Sequence, residues 1–231
     1  MCSVAATPAL HVARPIVLTI PDLCGRGLQL LPAEAFLRSP AGGAFTIERF
    51  QYDASSKTLH ESGAELLEVL HRIKPHSAVG PPCYMLTHGY GALVLREAFR
   101  AIDWAHVRTR LVMVAPPNRG CLPSWAAAPL GFRCTPSVAL DELHTLADFD
   151  LDMRLGKLPR LTRSLIVAGT IALPPKPWVR QPLHSTNPSD GAVAVAATHL
   201  PGEYTHMTVA ASHNLIMLHP ATLRLVRDFM A

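Results

Sequence analysis

Long apolar runs are missing from this chain: no stretch reaches the roughly 18 uncharged apolar residues that a membrane-crossing helix needs. The first 14 residues also lack a basic start followed by an apolar run, so neither a signal peptide nor a membrane span is expected. Charge is sparse, at 16% of 231 residues, and the formal net charge is only +4. The 21 Lys and Arg are scattered and not interleaved with aromatics, which argues against a nucleic-acid surface. No C-x-x-C pair occurs, and the five cysteines, Cys2, Cys24, Cys83, Cys121 and Cys134, leave one over in any disulfide scheme. Reduced thiols and a cytoplasmic location are the expectation. The 12 histidines show neither H-x-x-x-H nor H-E-x-x-H spacing, so no metal site is expected, and nothing calls for a cofactor. Internal repeats and low-complexity segments are absent too.

What the chain has is apolar content, 49% of its residues, which suits a large buried core. Parallel α/β folds commonly reach about 250 residues as one unit, so a single domain over 1–231 is expected. Short apolar runs at 15–20, 83–86, 111–115 and 164–168 each end in turn residues and read as buried strands. Between them, 58–73 carries Leu59, Leu66, Leu70 and Ile73 at helical spacing, and further helices are expected at 92–102 and 220–230, the last with Pro220 at its start. Strands alternating with helices imply a mainly parallel sheet covered on both faces, with the ligand site at the carboxyl ends of the strands. The Pro- and Trp-containing segment 121–158 reads equally as a cap over that site or as a surface excursion.

One strand-turn-helix junction has the setting of a nucleophile elbow: Leu86-Thr87-His88-Gly89-Tyr90-Gly91-Ala92. An elbow, G-x-S-x-G, uses small flanking residues to let a strained turn lift a serine oxygen above the sheet. Here Gly89 holds the central position, with Thr87 and Gly91 flanking it. In this segment the chain resembles α/β-hydrolases of the bacterial lipase/esterase kind, in which a histidine typically precedes the nucleophile, as His88 does here. Further matches follow in the family's order: Pro116-Pro117-Asn118-Arg119-Gly120 after the next strand, then Asn187-Pro188-Ser189-Asp190-Gly191 as the acid loop, then Ser212-His213-Asn214 as the histidine loop. The resemblance implies the three-layer α/β-hydrolase fold, with Asp190 and His213 in the acid and base roles of acyl transfer. The 23 residues between them leave room for one strand, read at 203–210.

Two departures bear on activity. Gly89 has no side chain with which to attack an ester. The family's His-Gly after the first strand is replaced by Pro21-Asp22-Leu23, which puts a negative charge beside the oxyanion hole, where each donor is worth roughly 3 to 4 kcal/mol. Loss of the serine alone costs about 10⁶ in turnover in the measured protease example. The chain is therefore expected to be a degenerate lipase-like protein that binds an acyl or other apolar ligand, or a protein partner, around Pro21, Asp22, Leu23, His88, Gly89 and Tyr90. The alternative is an acyl hydrolase with a displaced nucleophile, for which Cys24, Ser212 and His88 are the candidates. A nucleotide-binding reading of Gly89-x-Gly91 is weaker, because Val94 stands where close helix packing asks for a small residue.

Overall fold

The computed structural model describes residues 14–23, 27–73, 82–121, 137–146, 151–172 and 188–231. Six parallel strands form one sheet: β1 (Ile16–Ile20), β2 (Thr46–Arg49), β3 (Cys83–His88), β4 (Thr109–Val114), β5 (Thr162–Gly169) and β6 (Thr205–Val209), in the order β2-β1-β3-β4-β5-β6. The inner strands read as near-continuous apolar runs because helices cover both faces. One face buries Leu18, Ile20, Met85, Leu111 and Ile166 against α2 (Leu59–Ile73) and α3 (Gly91–Arg100). The other buries Val17, Leu86, Val112 and Val167 against α1 (Leu31–Arg38) and α6 (Pro220–Met230).

The chain winds outward from β1 to β2, then returns to β3 on the other side of β1 and continues to β6. The carboxyl ends of β1 and β3 thus lie side by side at the point where the winding direction reverses, the usual place for a ligand in open parallel sheets. In register, Ile20 pairs with Thr87, so the turn after β1 faces the turn after β3.

Several boundaries differ from the sequence expectation. The second run does not stop at residue 86: Thr87 and His88 continue the ladder opposite Met113 and Val114. Their polarity suggested a turn, yet both are fully buried at the strand's end beneath the site. β5 starts at Thr162, two residues before the apolar run begins, and β6 spans Thr205–Val209, shorter than the expected 203–210. β2 and α1 were not anticipated. β2 is a four-residue edge strand, Thr-Ile-Glu-Arg, with little apolar pattern to read. Of the segment 121–158, the described parts include α4 (Val138–Leu146) and α5 (Leu151–Leu155). α4 is tied to the body through the Val138 and Ala139 amides, which donate to Ser55 and Ala54 carbonyls at 3.3 Å. α5 is held by Arg96 of α3, whose buried guanidinium donates to Asp152 Oδ1 at 3.3 Å, to the Gly156 carbonyl at 3.0 Å and to Asn118 Oδ1 at 3.2 Å. Residues 122–136 and 147–150 of that segment lie outside the described part. No helix among the described residues is long and apolar enough to cross a membrane.

Candidate functional site

Gly89 follows β3 directly, with φ of +51°, a left-handed conformation that costs an L-residue roughly 1 to 2 kcal/mol. Its amide donates to the Val114 carbonyl at 2.9 Å, and α3 begins two residues later. The strand, sharp turn and helix are thus all present. Gly91 is required for a different reason: a Cβ there would lie 2.4 Å from the Pro21 carbonyl oxygen and 2.6 Å from that of Ile20. The β1 and β3 turns are packed backbone against backbone.

Across this junction lies the feature the sequence did not reveal. The Asp22 carboxylate occupies the space directly over Gly89, where a Cβ added to the glycine would meet Asp22 Oδ1 at 2.1 Å and Cγ at 2.3 Å. Asp22 Oδ1 accepts the Tyr90 amide at 2.8 Å, and Oδ2 is bonded to His213 Nε2 at 3.1 Å. His213 Nδ1 is bonded in turn to Asp190 Oδ2 at 2.8 Å. Asp190 is fixed by the loop it starts: its Oδ1 accepts the Ala192 and Val193 amides at 2.9 and 2.7 Å, and its carbonyl accepts the His213 amide at 3.0 Å. All three side chains are buried.

A line of carboxylate, imidazole and carboxylate follows, and its electrostatics favour the imidazolium. Burial alone would depress the His213 pKa, but the charges and hydrogen bonds of Asp190 and Asp22 lift it to about 10. Burial alone would raise the Asp22 carboxyl; the His213 hydrogen bond and charge, with the Tyr90 amide, carry it below the ordinary carboxylate value instead. At neutral pH His213 is therefore an imidazolium with both ring nitrogens bonded to carboxyl oxygens, and it has no free lone pair with which to act as a base.

The other residues expected at the site fall into place around this cluster. His88, at the end of β3, lies tilted at 30° to the His213 ring with centroids 4.9 Å apart, and bonds through Nε2 to the His213 carbonyl at 3.2 Å. Burial, with the neighbouring His213 charge, lowers its pKa to about 4, so it stays neutral, and its Nδ1 has no partner among the described residues. Pro21 is held by Tyr52, whose hydroxyl donates to the Pro21 carbonyl at 2.9 Å. Leu23, Phe50, Tyr52, Tyr90 and Cys121 belong to the apolar cluster on this side of the sheet. Of the candidate displaced nucleophiles, Cys24 lies outside the described residues, as does Asn187 of the acid loop. Ser212 is buried with no partner for its hydroxyl among the described residues, while both ring nitrogens of the adjacent His213 are engaged by carboxylates. Tyr52 and Cys121 were not singled out from the sequence. The Cys121 thiol is pushed up to about 12 by burial and by the Asp22 charge, which keeps it protonated. Among the described residues no group of His, Cys, Asp and Glu is arranged to hold a metal ion.

No family model and no curated protein matches the sequence. Solved structures do. The chain is similar to the Bacillus licheniformis lipase BlEst2 in its mature form, with a TM-score of 0.71 over 95% of this chain and 93% of that one, at 14% identity. The fold is that of the α/β-hydrolases. Phospholipase PlaB from Legionella pneumophila matches 94% of this chain with 60% of its own length, at a TM-score of 0.68 and 14% identity. The metagenomic carboxyl esterase MGS0156 gives a TM-score of 0.57 at 14% identity, over 95% of this chain and 74% of its own. At such identities the likeness concerns the fold, and function has to be argued from the site itself.

Proposed function

We propose that this chain is a lipase/esterase-like protein in which Gly89 stands at the nucleophile's position, and that it binds an acyl or other apolar ligand without hydrolysing it. The observation that carries the reading is the Asp22 carboxylate. It fills the volume a nucleophile's side chain would need, takes the Nε2 of His213 that would accept the nucleophile's proton, and takes the Tyr90 amide that would stabilise an oxyanion. Asp190 and His213 keep the mutual geometry of an acid and base pair. One carboxylate thus opposes three functions of acyl transfer at once, and the changes at positions 22 and 89 are complementary: the glycine makes room for the aspartate.

An apolar ligand is favoured by the rim of the site. Leu28 and Leu31, beyond β1, and Leu215 and Leu218, beyond His213, are 57%, 42%, 49% and 53% exposed on turns that pack against one another. They offer an apolar surface at the end of the sheet that carries the buried Asp22, His213 and Asp190. The segment 121–158 is proposed as an accessory to this surface within a single domain. Calorimetric titration with medium-chain fatty acids tests the reading. Saturable binding with a negative heat-capacity change, weakened by Leu218→Asp, is the expected result. His213-dependent turnover of esters sinks it and returns the displaced-nucleophile hydrolase to first place.

A further inference from the structure

The opposite end of the sheet carries a second, chemically different place. A groove of about 610 Å³ runs along the amino-terminal edges of β3 to β6, lined by Arg108, Arg110, Arg160 and Arg163, with Glu203 as its one acidic residue. For a chain whose net charge is only +4, four guanidiniums around one groove is a marked concentration. It lies roughly 20 Å from the Gly89 turn, the length of a six-residue strand such as β3.

Two features of the groove work against the stability of the empty fold. First, the β4–β5 register sets Arg110 directly opposite Arg163. Side chains so paired project to the same face about 5 Å apart, where like charges repel. Arg110 Nη1 is engaged by the Phe229 carbonyl in the last turn of α6, at 2.8 Å, but Arg160 and Arg163 have no hydrogen-bonding or ion-pair partner among the described residues. Second, Thr162 and Ser164, which alternate with Arg163 on β5 and so point to the opposite face of the sheet, have hydroxyls that are buried with no partner among the described residues. Ser164 is only 3% exposed. Buried hydroxyls are normally satisfied, and in-register cations on neighbouring strands are normally avoided. The paired cations at a solvent-open groove depart from local consistency in the way binding sites do.

We infer that this groove binds a phosphoryl group, carried by a small phosphate ester or by a lipid headgroup. Guanidinium forks match both carboxylate and phosphate, but a dianion with three terminal oxygens uses several arginines at once and a carboxylate does not. Arg160 and Arg163, with no partner among the described residues, supply the charge, with Arg110 beside Arg163 on the same face. The groove shares no residue with the Asp22 cluster, so this site stands whether or not the reading of that cluster is right.

The test is thermal unfolding and calorimetry of the intact protein with inorganic phosphate, against chloride at matched ionic strength, in wild type, Arg163→Ala and Arg163→Glu. Phosphate should raise the wild-type melting temperature beyond the chloride control. Arg163→Ala should weaken phosphate binding roughly tenfold, the loss of one charge-assisted contact. Arg163→Glu should abolish the phosphate response while raising the melting temperature in its absence, because the new carboxylate faces Arg110. That gain shows that the variant is folded. Sedimentation with phosphatidylcholine vesicles containing phosphatidic acid, but not with phosphatidylcholine alone, assigns the phosphoryl group to a lipid; phosphate binding without vesicle binding assigns it to a soluble ester. A phosphate effect no larger than that of chloride, or one unchanged in Arg163→Glu, overturns the inference.

Discussion

Gly89→Ser alone is expected to destabilise the protein without producing an esterase, and to do so because of Asp22. A new Cβ would overlap Asp22 Oδ1 at 2.1 Å, Cγ at 2.3 Å and Oδ2 at 2.9 Å, so the carboxylate must leave its place. Leaving breaks its bonds to the Tyr90 amide and to His213 Nε2. Each bond to a charged group is worth about 1.5 to 3 kcal/mol, so the two together account for roughly 3 to 6 kcal/mol. The positive φ at residue 89 adds about 1 to 2 kcal/mol for any side chain. Set against a typical total of about 5 to 15 kcal/mol, the single variant should be marginal. When Asp22→Gly is made first, only the backbone strain remains, so the serine substitution should cost roughly 1 to 2 kcal/mol in that background. The double variant also frees His213 Nε2, which a serine hydroxyl needs as base, and the Tyr90 amide, which an oxyanion needs as donor. The assay is a double-mutant cycle by urea unfolding, together with p-nitrophenyl ester hydrolysis at each corner. A strongly non-additive cycle is expected, with His213-dependent turnover in the double variant alone. Additive destabilisation, or a Gly89→Ser protein as stable as wild type, refutes the reasoning.

Other outcomes follow from the same cluster and its surroundings. His213 has a folded-state pKa of about 10 against an ordinary value of about 6.5, so its stabilisation is complete below about pH 6.5 and is lost as pH rises toward 10. Urea unfolding across that window should show stability falling by at most about 1.4 kcal/mol per pH unit for the one proton, and His213→Gln should flatten the slope. On the acid side, His88 is held neutral with a pKa of about 4, so its contribution, present above about 6.5, is lost as pH falls through that range; His88→Gln should reduce the decline. Asp190→Asn removes one of the two carboxylates facing His213 and should lower the imidazole's titration midpoint in NMR spectra, whereas an unchanged midpoint would show that Asp190 does not set it. Arg96→Met removes the guanidinium bonds to Asp152, Asn118 and the Gly156 carbonyl, while Asp152 keeps Arg119, and should cost about 1 to 3 kcal/mol, with hydrogen exchange rising first in α5.

Much of this architecture is legible in the residue pattern, and the gaps have identifiable causes. β3, β4 and β5 announce themselves as apolar runs because both faces of the sheet are covered, and α2 shows its buried stripe at Leu59, Leu66 and Leu70. Thr87 and His88 misled because polar residues in a buried strand read as a turn; here both are buried at the strand's end, and His88 lies against His213. β2 is too short and too charged to carry a two-residue period. At the site, Gly89, Asp190 and His213 are found from the order of short motifs, and the structure brings them together with Pro21, Asp22, His88 and Tyr90. The Asp22–His213 bond was out of reach of pattern because it joins residues 191 positions apart across the sheet's reversal point. Its only trace in the sequence is that two departures from the resemblance, at 22 and at 89, occur in the same chain. Read as two separate losses they suggest decay; under the proposed reading they are one exchange, because the Asp22 carboxylate lies where a side chain at 89 would stand.

The most direct test of that exchange is hydrolysis of short and medium p-nitrophenyl esters by the purified wild-type protein, run beside His213→Ala. The account predicts that the two proteins are indistinguishable from each other and from the uncatalysed rate, because Asp22 holds the nucleophile's space, the base and the oxyanion donor together. Turnover in the wild type that disappears in His213→Ala would contradict it, since it would require a working nucleophile beside a histidine whose nitrogens are already bound.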